Sequence, residues 1–162
     1  MLKIGDHAPD FTAQATNGST VSLSALRGRP VVVYFFPKAF TMGCTVETRH
    51  FCDNYQRIRE LGAEIIGISA DKFDAQCRFA VEQKAPFPLV GDEDKRICEA
   101  FGVLWPLIKI PQRITFVIDE EGVVRAVFHH EVQISRHLDD VREFLEKRAT
   151  SAAKSGAPAT RA

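Results

Sequence analysis

The sequence Pro-Val-Val-Val-Tyr-Phe-Phe-Pro-Lys-Ala-Phe-Thr-Met-Gly-Cys-Thr-Val-Glu, residues 30–47, decides the fold class. Residues 31–36 form a continuous apolar run rich in β-branched and aromatic side chains, which is typical of a central strand covered on both faces. Pro37 ends the run because proline cannot donate to the hydrogen-bond ladder of a strand. A helix is predicted to follow over about 44–61, with Gly62 just past its end. A buried strand that leads through a short loop into a helix indicates an α/β domain.

Strands and helices alternate on either side of this stretch. The further elements predicted are strands at 21–23, 63–69, 113–119 and 123–128, and helices at about 71–84, 92–101 and 135–148. Asp71 and Asp92 are predicted to cap the first two of these helices, and Gly102 to end the second. Helical crossovers followed by a terminal hairpin predict a mixed β-sheet flanked by helices, which is the thioredoxin-like arrangement.

Composition limits the classes of protein that the chain could be. Its 162 residues, 45% of them hydrophobic, fit one domain with a proper core. Lys and Arg number 21, as do Asp and Glu, and this balance argues against a dedicated nucleic-acid binder. No run reaches the roughly 18 apolar residues of a membrane span, and no apolar signal segment opens the sequence, so we expect a cytoplasmic protein. The small polar residues near the end predict a domain at 1–149 and a flexible tail at 150–162.

Cys44 is the first candidate for chemistry. Reactive groups gather at the C-terminal ends of strands in open α/β sheets, and Cys44 is predicted in the first turn of the helix that follows such a strand. Unpaired N–H groups and the helix dipole favour an anion there, such as a thiolate. Thr41 can cap these N–H groups, and its hydroxyl could also donate to the thiolate or to a bound oxygen. On the residues alone, the alternative is a small buried structural cysteine.

The pattern Pro37-x-x-x-Thr41-x-x-Cys44 resembles the active-site signature of the peroxiredoxins. The longer string over 34–47 is similar to the bacterioferritin comigratory proteins, or PrxQ, a subgroup of the AhpC/TSA family. Further similar blocks follow in the same order, at residues 5–11, 67–71, 87–92 and 113–119. The resemblance implies a thioredoxin-like fold of the peroxiredoxin type, with an N-terminal β extension.

The resemblance also implies an activity. We expect an antioxidant thiol peroxidase that reduces hydrogen peroxide and organic hydroperoxides to water and alcohols through a cysteine sulfenic acid. Thioredoxin or another thiol reductant is expected to regenerate the cysteine. No cofactor is expected. No metal is expected either, because no group of His and Cys residues has the spacing of a zinc site.

Roles for single residues follow from the same resemblance. Cys44 matches the peroxidatic cysteine, and Thr41 matches the residue that hydrogen-bonds the peroxide. Pro37 matches the proline that shields the thiolate from water, and Arg113 matches the arginine that stabilises the thiolate and polarises the peroxide. The backbone N–H groups of Gly43 and Cys44 are expected as further donors. The chemistry needs such a set, because the site must hold the thiolate, align both peroxide oxygens and stabilise the leaving oxygen.

Three features leave alternatives open. Glu47, one turn after the cysteine, is expected either to orient Arg113 or only to complement the helix dipole. Met42 stands where the subgroup usually has proline, which is expected to affect loop flexibility and rate without removing a catalytic group. Residues 104–111 are shorter and more apolar than the matching loop of relatives. They could form a pocket wall that admits larger hydroperoxides, a dimer contact, or the ordinary core packing of one aromatic residue, Trp105, so both a monomer and a dimer are expected possibilities.

The thiol that resolves the sulfenic acid is less clear from the sequence. Many subgroup members carry it five residues after the peroxidatic cysteine, where this chain has Arg49. Others carry it on the next helix, at a position matching about Ala80, and Cys77 is one turn away from that position. Cys52 lies over two turns along the first helix, about 12 Å by rise, whereas a disulfide needs Cα atoms within about 7 Å. We rank Cys77 first, a one-cysteine mechanism with an external thiol second, Cys52 third and Cys98 last.

Two other classes of function compete with the peroxidase. A thioredoxin-like disulfide reductase needs a second thiol two or three residues before Cys44, where Thr41 stands. It also carries a cis-proline at the position of Ile114. A non-catalytic thioredoxin-fold binding or chaperone module would show no fast thiol reaction with peroxide. The adjacent residues His129 and His130 are expected to be a solvated strand edge. The absence of that second thiol and of the cis-proline favours the peroxidase over the disulfide reductase.

Overall fold

The computed structural model describes residues 1–154, with side chains as far as Ser151. The strands are β1 (Thr12–Gln14), β2 (Thr20–Ser22), β3 (Val31–Phe35), β4 (Glu64–Ser69), β5 (Leu89–Gly91), β6 (Ile114–Ile118) and β7 (Val124–His129). The helices are α1 (Met42–Asp53), α2 (Tyr55–Glu60), α3 (Phe73–Gln83), α4 (Arg96–Phe101) and α5 (Ser135–Lys154), with a 3-10 turn at Ser24–Leu26. None of the helices described over 1–154 is long and apolar enough to cross a membrane.

The central sheet has five strands in the order β5-β4-β3-β6-β7. β3 pairs in parallel with β4, and β4 with β5, whereas β6 and β7 are antiparallel to their neighbours. β1 and β2 form a separate antiparallel pair. The predicted mixed sheet flanked by helices and the N-terminal β extension are both confirmed. The three-residue strand β5 was not predicted, because it is too short to show a period.

Alternate side chains along β3 lie in two separate hydrophobic cores. Val33 and Phe35 lie in the core cluster on one face of the sheet. Tyr34 and Phe36 lie in the cluster on the other face, and Cys44 belongs to that second cluster. Both faces are therefore covered, which is why the whole strand reads as apolar.

Strand pairing brings a distant arginine to the face of Cys44. The register pairs Phe35 at the end of β3 with Ile114 at the start of β6. Ile114 joins the first core cluster, so its neighbour Arg113 points to the opposite face, where Cys44 lies. One pair of strands thus joins two residues that are 69 positions apart in the chain.

The predicted helix over 44–61 is in fact two helices. α1 begins two residues earlier than predicted and ends at Asp53, and α2 begins at Tyr55. Between them Asn54 donates through its side-chain amide to the carbonyl of His50 at 3.0 Å. Asn54 itself has φ −113° and ψ 9°, outside the α-helical range, and this residue separates the two helices. Gly62 follows with φ +89°, as expected for a residue just past a helix end.

The predicted cap at Asp71 is wrong. α3 begins at Phe73, and no side chain caps it. Asp71 instead accepts hydrogen bonds from the backbone N–H of Ala39 at 2.7 Å and from the hydroxyl of Ser69 at 2.6 Å. The carboxylate therefore ties the loop after β3 to the end of β4.

The predicted cap at Asp92 is confirmed in a modified form. Its carboxylate accepts from the backbone N–H groups of Ile97 at 3.2 Å and Cys98 at 2.8 Å, although α4 itself begins only at Arg96. Gly102 ends α4 in the left-handed conformation, as predicted.

α5 differs from its predicted length. It continues to Lys154, beyond the predicted end at 148, so the first residues of the predicted tail are helical. Residues 155–162 of that tail lie outside the described residues, and the domain boundary at 149 stays a prediction.

Candidate active site

Cys44 lies in the first turn of α1, and its side chain is fully buried. The first helical hydrogen bond runs from the N–H of Thr45 to the carbonyl of Thr41 at 2.9 Å. The N–H groups of Gly43 and Cys44 therefore lie outside the helical ladder. Together with the helix dipole, these groups favour negative charge in the turn that carries the sulfur. The two backbone donors expected from the sequence are available for a bound oxygen.

Arg113 links the sulfur to a buried carboxyl group. Its Nη1 donates to Cys44 Sγ at 3.4 Å and to Glu47 Oε1 at 2.9 Å. Its backbone N–H donates to the carboxylate of Glu131 at 2.8 Å. Burial disfavours the cation, but the neighbouring Glu47 and Cys44 raise the pKa of Arg113 in spite of it, so the guanidinium keeps its charge. Glu47 thus makes the contact with Arg113 that the first of its two interpretations requires.

Gly43 allows this close approach. A Cβ atom at this position would lie 2.8 Å from Ile134 Cδ1 and 3.1 Å from Arg113 Nη2. A larger residue would therefore push the guanidinium away from the sulfur. The glycine before the cysteine serves the packing of the site as well as its backbone donors.

Glu47 and His137 form a second buried contact behind the arginine. Glu47 is 1% exposed, and burial raises its pKa to about 8 against the opposing effect of Arg113. Its Oε2 has no hydrogen-bond partner among the described residues and lies 3.7 Å from Nδ1 of His137. Burial also lowers the pKa of His137 to about 4. His137 was not among the predicted site residues. The signal that could have found it is its position on the inward face of α5, next to Leu138.

The loop before α1 carries Pro37 and Thr41. Pro37 is half-buried just past the end of β3. The predicted capping by Thr41 is wrong, because its hydroxyl donates to the carbonyl of Lys38 at 2.8 Å and makes no bond to the helix N–H groups. Phe40 between them is in the left-handed region at φ +66°, a rare conformation for a bulky residue, and its ring packs on Phe79 of α3 at 5.3 Å.

The other three cysteines differ in their surroundings, and all four are free. Burial raises the pKa of Cys52 to about 11, and burial together with Asp92 raises that of Cys98 still further. Both are therefore protonated at neutral pH and poor nucleophiles. Cys77 is half-buried on α3, the helix that packs beside α1. Among the described residues, no group of three or more His, Cys, Asp or Glu side chains could hold a metal ion.

The apolar loop over 104–111 lies at the surface. Leu107 is 95% exposed and Ile108 is 63% exposed. Trp105 is 38% exposed, so ordinary core packing of this aromatic residue is the wrong interpretation. The Trp105 ring lies 6.3 Å from that of His129. His129 is exposed, as expected, and it bonds the same Glu131 carboxylate that receives the backbone N–H of the site arginine. The loop therefore borders the candidate site.

A buried cysteine at a helix N-terminus, hydrogen-bonded to an arginine from the neighbouring strand of a thioredoxin-like sheet, defines the class of thiol peroxidases. The sequence profile of the AhpC/TSA family matches residues 4–127, and the chain belongs to that family.

Individual relatives agree with this class. The chain is 38% identical over 143 residues to "Peroxiredoxin Q, chloroplastic" of Sedum lineare, a match that covers 88% of this chain and 77% of that protein. The solved structure of peroxidoxin BcpB from Mycobacterium tuberculosis superposes with a TM-score of 0.84 at 34% identity, covering 91% of this chain and 98% of that one. The solved structure of Xanthomonas campestris peroxiredoxin Q superposes with a TM-score of 0.80 at 31% identity, covering 86% of this chain and 91% of that one. The chain is a peroxiredoxin-type thiol peroxidase, and neither the disulfide reductase nor the binding module is favoured.

Proposed function

We propose that Cys44 is the peroxidatic cysteine of this peroxidase and that Arg113 acts on both the thiolate and the peroxide. The observation that carries the proposal is the hydrogen bond from Arg113 Nη1 to the buried Sγ at 3.4 Å. The thiolate attacks one peroxide oxygen in line, the sulfur becomes a sulfenic acid, and the other oxygen leaves as water or an alcohol. Because the guanidinium is always charged and offers several donors, it can stabilise the thiolate before attack and the leaving oxygen during it.

Thr41 and Pro37 complete the proposed site. The Thr41 hydroxyl makes one hydrogen bond, to the Lys38 carbonyl, and lies in an exposed turn. Rotation about one side-chain bond would release it to donate to a peroxide oxygen. Pro37 offers no N–H group to water beside the site, which suits its role as a shield for the thiolate.

Trapping the sulfenic acid tests this proposal. Wild-type protein mixed with one equivalent of hydrogen peroxide and dimedone is expected to carry the dimedone adduct on Cys44 alone. An adduct elsewhere, or none while peroxide persists, would contradict the proposal. NADPH oxidation coupled through thioredoxin reductase and thioredoxin, compared with glutathione and glutaredoxin, then identifies the reductant.

We propose thioredoxin, or another small thiol reductant, as the source of electrons. We place the reaction in the cytoplasm, since four free cysteines suit a reducing compartment. A peroxide and a thiol reductant are the partners that the family implies. A monomer and a dimer are both compatible with this proposal.

Cys77 is the proposed resolving thiol. It lies on the helix that packs beside α1, whereas burial raises the pKa of both Cys52 and Cys98 and hinders attack by those two thiols. After peroxide treatment, mass spectrometry is expected to find a peptide linked through Cys44 and Cys77. This bond requires the first turn of α1 to unwind, because the sulfur is fully buried in the reduced protein.

A variant series separates the alternatives for this step. Cys77→Ser should accumulate the sulfenic acid, and Cys52→Ser should form the disulfide as the wild type does. A stable sulfenic acid in the wild type would contradict Cys77 and support the one-cysteine mechanism. A disulfide to Cys52 would reverse the ranking of the two thiols.

A further inference from the structure

Glu47 is a buried carboxyl group with only one of its two oxygens satisfied. Oε1 accepts from Arg113 Nη1 at 2.9 Å, whereas Oε2 has no partner among the described residues. A buried carboxylate normally collects several donors, because an unpaired charged oxygen away from water is costly. A proton on Oε2 lowers that cost, because it removes the charge.

His137 supplies no hydrogen-bond donor to this unpaired oxygen. Its Nε2 lies 2.9 Å from the carbonyl of His130, and since a carbonyl only accepts, Nε2 must carry the ring proton. In the neutral ring Nδ1 is then an acceptor, and it is 2.9 Å from the hydroxyl of Thr115. Oε2 of Glu47 lies 3.7 Å from Nδ1. Because Nδ1 carries no proton in this tautomer and already accepts from Thr115, the ring offers no hydrogen bond that would stabilise an ionised Oε2.

The charges around Glu47 also favour its protonated form. Among the described residues, Arg113 is the one cation in contact with Glu47, and Arg113 Nη1 also bonds Cys44. When Cys44 is a thiolate, two negative groups would share this cation if Glu47 were ionised. Glu131 adds further negative charge from the segment before α5, and the buried phenol of Tyr34 on β3 stays neutral with a raised pKa. The neutral ring of His137 supplies no second positive charge.

Oxidation of the sulfur changes this balance. A thiolate carries one negative charge and a sulfenic acid carries none, so the guanidinium loses its partner in the step that forms the sulfenic acid. Glu47, on the same nitrogen of Arg113, is placed to take over as the counter-ion. The product alkoxide or hydroxide needs one proton at that moment.

We propose that Glu47 stores the proton that the leaving oxygen takes up when Cys44 reacts with a peroxide. In the step, an S–O bond forms as the O–O bond breaks. The thiolate and ROOH give Cys44–S–OH and RO⁻, the sulfur losing two electrons to the peroxide. RO⁻ takes the proton of Glu47 and leaves as ROH, and the carboxylate then neutralises Arg113. The inference rests on the proposed role of Cys44. The pKa of Glu47 is about 8, so this carboxyl group is protonated at neutral pH before the reaction.

Counting protons tests the inference. The assay uses Cys52→Ser/Cys77→Ser protein, in which the sulfenic acid has no partner thiol nearby, with stoichiometric hydrogen peroxide, a pH indicator and minimal buffer. The pH is set below 8 and where ultraviolet absorbance shows the Cys44 thiolate. With Glu47 present, no proton should be taken from solution for each sulfenic acid formed. Adding Glu47→Gln should raise the uptake to one proton for each sulfenic acid.

Glu64→Gln is the matched control, because Glu64 is a partly buried glutamate that is likewise paired with an arginine, Arg59, at 2.8 Å. It should behave as the parent protein does. Infrared difference spectra of the parent should also show the loss of a protonated carboxyl band on oxidation, and this loss should be missing in Glu47→Gln.

The outcomes separate the inference from the proposed function. Uptake of one proton by the parent protein overturns the inference, even if Glu47→Gln does not fold. No uptake by either protein, or no loss of the carboxyl band in the parent, overturns it as well. If no sulfenic acid forms on Cys44 in the parent, the proposed function itself fails.

Discussion

Cys44→Ser is expected to lower the second-order rate constant for peroxide by at least about 10³-fold. The substitution is nearly isosteric and leaves the hydrogen-bond donors of Arg113 in place, so the loss reports on the chemistry of the sulfur. A serine hydroxyl stays protonated at neutral pH, whereas a thiol at a helix N-terminus beside a guanidinium can ionise. Oxygen also cannot form the sulfenic acid through which the reaction passes. Stopped-flow fluorescence of Trp105, near the site, gives the measurement.

Cys98→Ser is the matched control. Cys98 is as fully buried as Cys44, but it lies in the core on the other face of the sheet, and Asp92 raises its pKa further. We expect this variant to keep the wild-type rate with peroxide. Comparable losses in Cys98→Ser and Cys44→Ser, with the circular dichroism of both unchanged, would contradict the assignment of Cys44.

The position of Arg113 shows how far the sequence could predict the site. The apolar run at residues 31–36 and the apolar strand after Arg113 both indicate central strands, and their alternation indicates which residues share a face. The sequence does not contain the register that pairs Phe35 with Ile114. The resemblance to the peroxiredoxins supplied the pairing of Cys44 with Arg113, and the register provides its physical reason.

His137 and Asp71 show where prediction from sequence ended. His137 lies on the last helix. Its spacing places it on the inward face of α5, but nothing in the sequence connects it to Glu47, which it approaches to 3.7 Å. Asp71 occupies a position that suits a helix cap. However, the loop after β3 passes close enough for its carboxylate to bind the N–H of Ala39 instead. In both cases tertiary packing decides between partners that local rules treat alike.

At the site itself, Thr41 also has a hydrogen-bond partner different from the one that its position in the sequence predicts. Its place before the helix predicts a capping bond, and the backbone does adopt the extended conformation of an N-cap residue. The hydroxyl nevertheless bonds the carbonyl of Lys38 inside the loop. The helix N–H groups are thereby left for a ligand, which is the arrangement that a site for peroxide oxygens requires.

Arg113→Gln is expected to lower the rate constant with peroxide by about 10²- to 10³-fold, the range seen when one charged or polar donor is removed from a developing negative charge. The amide of glutamine is too short and carries no charge, so both the thiolate and the leaving oxygen lose their cation. Arg113→Lys keeps the positive charge but concentrates it on one ammonium group. It should still react more slowly than the wild type, because one ammonium lacks the rigid plane that joins Cys44 to Glu47. The rates are measured by stopped flow over a series of peroxide concentrations.

The pH dependence of stability gives a second readout for Arg113→Gln. Without the cation, the pKa of Glu47 rises beyond its value of about 8. A raised pKa in the folded state lowers stability as the pH climbs towards it, because the unfolded chain ionises more readily. The part of the stability difference that comes from Glu47 should therefore be absent below pH 8 and grow above it, as urea unfolding at several pH values would show. Arg125→Gln removes an arginine from an exposed ion pair with Asp119 and should show neither effect. A rate for Arg113→Gln within a few-fold of the wild type would contradict the proposed role of the guanidinium, whatever the stability curve showed.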